Sequence, residues 1–102
     1  MPNGRDQRMT TADLELRALE KMTAALCRHI ELLWRDAAQG RSLGREAELH
    51  WQAFEERRKE AMRLAKASGG EPLASRIARL ERLVEALEVS REYFKALAAG
   101  AQ

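Results

Sequence analysis

The chain has 102 residues, of which 63 are Ala, Glu, Lys, Leu or Arg and only seven are β-branched, a composition of helix formers. Five aromatics and four β-branched aliphatics are too few for a sheet with a packed face, so all-β and α/β folds are excluded. Charged residues make up 33% and apolar ones 45%, enough for one bundle core and too apolar for a disordered chain. The net charge is +2 with the signs interleaved, which gives a weak overall field.

Residues 1–10 are polar and read as a disordered tail, without the apolar run of a signal peptide. No later stretch approaches the ~20 apolar residues of a membrane span. A cytoplasmic protein with no membrane partner is the expectation. Residues 11–99 read as a single helical domain with helices over about 12–38, 43–68 and 72–98. Thr10 stands three residues before Asp13, a capping arrangement at the start of the first helix. Its apolar stripe is Leu16, Leu19, Met22, Leu26, Ile30, Leu33 and Ala37. The lone Cys27 lies within this pattern and reads as a small buried hydrophobe. Gln39 and Gly40 end the helix.

Ser42 is placed to cap a second helix, with a stripe of Leu43, Ala47, Trp51, Phe54, Ala61 and Ala65. The run from Glu55 to Glu60 sets arginine where this stripe needs an apolar side chain. An arginine stem crossing Ala24 and Ala25, with its head near Glu81 and Glu85, accommodates it; an anion site inside the bundle is the alternative. Pro72 sits at the first turn of the third helix. There Leu73, Leu80, Leu87 and Phe94 occupy one heptad position, and Ile77, Val84, Arg91 and Ala98 the other. Leu83 and Leu97 widen this stripe to bundle width. The expected architecture is an antiparallel three-helix bundle, or a helical hairpin whose third helix packs in a dimer. Folding about the second turn sets residue i of the second helix near residue 140 minus i of the third, with Lys59 facing Glu81.

Chemistry-bearing patterns are sparse. Cys27 and His29 diverge on a helix, and His50 has only Glu46 one turn away, so no metal site is expected and both histidines read as half-buried. Phosphate loops, nucleophile elbows and zinc-protease pairs are missing from the sequence. Leu14-Glu15-Leu16-Arg17 and Leu32-Leu33-Trp34-Arg35 resemble the first helix of helical chorismate mutases, whose arginines hold a dicarboxylate. The remaining pocket residues of that family have no match here. Residues 57–82 carry eight basic and three acidic side chains. Arg63, Lys66, Arg76 and Arg79 in this stretch form a candidate basic patch for nucleic acid. Glu81, Glu85, Glu88 and Glu92 form an opposing acidic ridge.

An amphipathic helix ending Ala37-Ala38-Gln39-Gly40, a second centred on Glu55-Glu56-Arg57-Arg58-Lys59-Glu60-Ala61-Met62, and a final amphipathic helix resemble the flagellar type III export chaperones. The similarity covers about sixty residues. It implies a small cytoplasmic helical protein that holds an amphipathic helix of a client. Members place an aromatic just after the glycine, whereas here Trp51 comes eleven residues later.

The sequence thus leads to a non-enzymatic protein-protein interaction module, an export chaperone or adaptor, without cofactor. Its partner is a protein or a second copy in a homodimer. The interaction residues expected are Ile77, Leu80, Leu83, Val84, Leu87, Arg91, Phe94 and Leu97, an arc wider than one antiparallel neighbour covers. The alternative is a small nucleic-acid-binding or regulatory protein using the basic end.

Overall fold

A computed structural model describes residues 10–66 and 70–100; the expected tail over 1–9 and the end of the second helix at 67–68 lie outside them. Three helices follow in order: α1 (Thr11–Ala38), α2 (Arg45–Lys66) and α3 (Leu73–Gly100). Among the described residues there is no strand, and no helix is long and apolar enough to cross a membrane. The molecule is an all-α three-helix bundle in which α1 and α3 pack closely along their lengths.

Local chemistry sets each boundary. Thr10 Oγ1 accepts from the Asp13 amide at 3.1 Å, and Asp13 Oδ2 accepts from the Thr10 amide at 3.1 Å, a complete capping box. The two Thr10 hydrogen bonds hold the Asp13 carboxyl below its usual range. At the other end Gln39 adopts a left-handed conformation, φ 47° and ψ 42°, and its amide donates to the Arg35 carbonyl at 2.9 Å. Gly40 and Gly44 follow with φ of 81° and 100°, values that favour glycine. Helix α2 therefore begins at Arg45 rather than at residue 43. Ser42 does not cap it; its hydroxyl accepts from the Gly44 amide at 3.4 Å, inside the turn. Pro72 stands just before α3, where its carbonyl accepts from Arg76.

The centre of the core is Phe54, Phe94, Ile30 and Leu87, all fully buried. Each contributes about 1.5–3 kcal/mol by leaving water. Phe94 meets Trp34 and Trp51 edge-on at 5.6 and 6.0 Å, while the two indoles stack at 4.9 Å and 11°. This aromatic knot joins all three helices near the α1–α2 turn. At the opposite end, Arg76 of α3 reaches Glu20 of α1 at 3.6 Å. Helix α3 is thus the central rod, with α1 along one side and α2 along the other.

The faces differ from the expected stripes at several positions. Met22 is 45% exposed and Thr23 is buried in its place, its hydroxyl donating to the Leu19 carbonyl at 2.7 Å. Leu64 is buried and Ala65 exposed, because α2 turns its side chains toward α3 and stands off from α1. The 140 sum holds near the second turn, where Glu60 meets Arg79. It drifts to 147 by the Arg57–Ser90 contact. Lys59 does not face Glu81; it is exposed and reaches Glu56 at 3.5 Å.

Candidate helix-binding groove

The residues expected to meet a partner are occupied within the chain itself. Ile77, Leu80, Leu83, Val84, Leu87 and Phe94 are buried between α1 and α2, and Arg91 and Leu97 are half-buried. The wide arc of α3 is therefore explained by its central position, with two neighbours instead of one. A covering helix from another molecule is not needed there.

The basic end is also largely spent. Arg63 bonds Glu60 at 2.6 Å, and Arg79 bonds Glu60 at 2.7 Å and Glu71 at 3.1 Å. Arg76 reaches Glu20 and donates to the Leu64 carbonyl at 3.5 Å. Of the four, only Lys66 has no carboxylate partner among the described residues. Arg63 and Arg79 hold Glu60 below the usual carboxylate range, and Ser75 with Arg79 does the same for Glu71.

Arginines 57 and 58 resolve the irregular run of α2 in a way the register did not anticipate. Arg57 Nη1 donates to Ser90 Oγ of α3 at 3.2 Å, so Ser90 can be buried with a partner. Among the described residues the head of Arg58 forms no ion pair with Glu81 or Glu85. Its guanidinium crosses to α1, bonding Glu31, with Glu55 at 3.7 Å and the Phe54 ring 5.8 Å beneath. Six residues, Gln39 to Gly44, separate α1 from α2, and Glu31 of α1 is the carboxylate that meets Arg58.

Where α2 stands off from α1, a groove of about 360 Å³ opens between them. Thr23, Ala24 and Cys27 form its α1 wall, Ala61, Met62 and Ala65 its α2 wall, and Leu80 of α3 its floor. Small side chains at these positions keep the helices from interdigitating. Glu20 and Arg28 stand at the rim, and the Glu31–Arg58 bridge closes one end. Beyond that bridge the seam continues past Trp34, Trp51 and Arg35. Met62, 53% exposed, lines the opening. Burial pushes the Cys27 thiol up, and Glu31 adds to the effect, so this sulfur serves as an apolar surface at neutral pH.

The remaining polar features are dispersed. His29 and His50 are both exposed, not half-buried, and His50 stacks on Tyr93 at 3.7 Å between ring centres. Burial, with Glu46 nearby, raises the Tyr93 hydroxyl. Among the described residues no three of His, Cys, Asp and Glu gather as a metal cluster. Arg17 and Arg35, the pair that resembles a dicarboxylate clamp, are exposed on α1. The acidic ridge of α3 is also exposed, with Glu92 near Arg91 and Lys95 at 3.5 and 4.0 Å.

The fold and site together define a three-helix bundle with an apolar lateral groove between its first two helices. In comparisons with protein-family models, curated proteins and solved structures, nothing matches this chain. The groove itself must therefore carry the functional reading. Sequence reasoning missed its walls, although Ala61 and Ala65 stand one helical turn apart and both were placed on the α2 stripe. Their small size at adjoining turns was the available signal.

Proposed function

We propose that the protein is a non-enzymatic interaction module that holds an amphipathic helix of a partner protein in the α1–α2 groove, as an adaptor or chaperone. One observation carries this reading: the groove is floored by Leu80 and walled by small apolar side chains, open along one side, with Met62 exposed in its lining. Helical ligands are bound in this manner, their apolar residues at i, i+3 or i+4, and i+7 entering a hydrophobic channel. Methionine at the lip suits the role, since its flexible thioether adapts to different shapes. A catalytic reading is less well supported, because both carboxylates that line the groove are bridged, Glu31 to Arg58 and Glu20 to Arg76, and the described residues gather no convergent set of free polar groups in it. The similarity to export chaperones agrees with a client helix.

The test is selection from a displayed library of 18-residue helical peptides. Enriched sequences are expected to share an apolar face and to quench or shift the emission of Trp34 and Trp51, which line the adjoining seam. Ala65 is exposed and lines the groove, so Ala65→Phe obstructs the channel without disturbing the core. Enriched peptides that bind the variant as well as the parent would refute the groove as the site.

A further inference from the structure

The charges along the groove are unequal in a way that specifies the occupant. Both carboxylates that line it are already bridged, Glu31 to Arg58 and Glu20 to Arg76 at 3.6 Å. The cations on its α1 lip are not. Arg28 lines the apolar half and Arg35 the half beyond the bridge, and among the described residues neither meets a carboxylate. Lys21 stands seven residues before Arg28, as Arg28 does before Arg35, and it too is exposed and unbridged among the described residues. Residues seven apart on a helix fall nearly on one line, drifting by about 20° per step. The line through Arg28 and Arg35 on the lip, continued along α1 past the lining residues to Lys21, therefore carries unbridged positive charges over some 21 Å, at 1.5 Å per residue.

Resting on the groove reading above, we propose that the partner helix is acidic, with carboxylates at seven-residue intervals flanking its apolar face. Laid along α1, such a helix sets one carboxylate against each of Lys21, Arg28 and Arg35 while its apolar side chains enter between Ala24 and Ala61. Charged flanks beside an apolar seam are the means by which paired helices choose partners. The chain's own acidic ridge on α3 does not supply this ligand. Its large apolar content is Val89 alone, flanked by Glu85, Glu88 and Glu92, so it has nothing to fill the channel. Nucleic acid is a poorer fit as well, since the cations border an apolar trough and not a polar surface that follows a phosphate backbone.

Three peptides with one shared leucine face and glutamate, glutamine or lysine flanks test the inference, titrated against the full chain by tryptophan emission. The glutamate peptide is expected to bind roughly tenfold tighter than the glutamine peptide at low ionic strength, with the margin shrinking as salt is added. The triple variant Lys21→Glu, Arg28→Glu, Arg35→Glu, all at exposed positions, is expected to invert the order in favour of the lysine peptide. Equal affinities that are all lost in Ala65→Phe would overturn the charge inference and leave the groove standing. Failure of every peptide to bind would remove the groove reading itself. Two further results would overturn the proposal: duplex DNA bound through these three cations regardless of Ala65→Phe, or a dimer of the chain that Ala65→Phe dissolves.

Discussion

Replacing Ala61 with leucine decides whether the space between α1 and α2 is vacant. Ala61 is half-buried on the α2 wall of the groove, opposite Thr23, Ala24 and Cys27. Leucine adds three carbon groups, and full burial of each contributes about 0.8 kcal/mol, so the ceiling is ~2.4 kcal/mol. The groove is open on one side, which halves the gain, and leucine forms helix slightly less well than alanine. The expected result is stabilisation of about 1 kcal/mol. In a domain of this size that is a rise of ~4–8 °C in the midpoint of thermal unfolding. Urea denaturation with an unchanged slope would give the same figure in free energy. The opposite sign is the informative failure. If α1 and α2 close on each other in solution, the added volume overpacks a filled seam and costs about 1–3 kcal/mol. A clear loss of stability would therefore refute the groove and everything built on it.

Phe94→Ala removes a fully buried ring that touches both tryptophans, and is expected to cost about 3–5 kcal/mol with a red shift of indole emission, measured by urea titration followed by fluorescence. Thr10→Ala breaks the capping box and should lower stability by ~1 kcal/mol, read by helical circular dichroism during melting. Glu60 and Glu71 both have depressed folded-state values, so their contribution is complete above the ordinary glutamate range and is lost as pH falls through and below it. Glu60→Gln should flatten that acid limb while changing little at neutral pH beyond the loss of the Arg63 and Arg79 pairs. Cys27, buried and with its thiol raised, should react slowly with iodoacetamide at neutral pH and faster only on alkalinisation or unfolding.

Periodicity made the rods legible. The Thr10–Asp13 cap, the Gln39–Gly40 stop and the α3 core positions from Leu73 to Phe94 all follow from residue type and spacing, because local hydrogen bonding and one dominant apolar face decide them. What a stripe does not say is which neighbour lies against it. The breadth of α3 suggested an external helix, whereas it reflects a rod sandwiched between α1 and α2. Thr23 and Ser90 escaped because hydropathy alone counts them as polar, yet one hydroxyl is satisfied by its own helix and the other accepts from Arg57. Arg58 pairs with Glu31 of α1 instead of α3, and the axial offset between helices that decides such a pairing is weakly encoded in composition. The groove shares this origin. It depends on where α2 stands off, so Ala61 and Ala65 could be seen as small but not as facing open space.

The connection between α1 and α2 contains three residues with positive φ, Gln39, Gly40 and Gly44, and it borders the knot of Trp34, Trp51 and Phe94. Insertions or substitutions in that bend would reset how far the second rod leans outward and with it the stacking of Trp51 on Trp34, while the contact of Arg76 with Glu20 at the far end stays in place. Under the proposed function, the width of the channel, and so the choice of occupant, would be tuned from this short joint together with the aromatic contacts beside it.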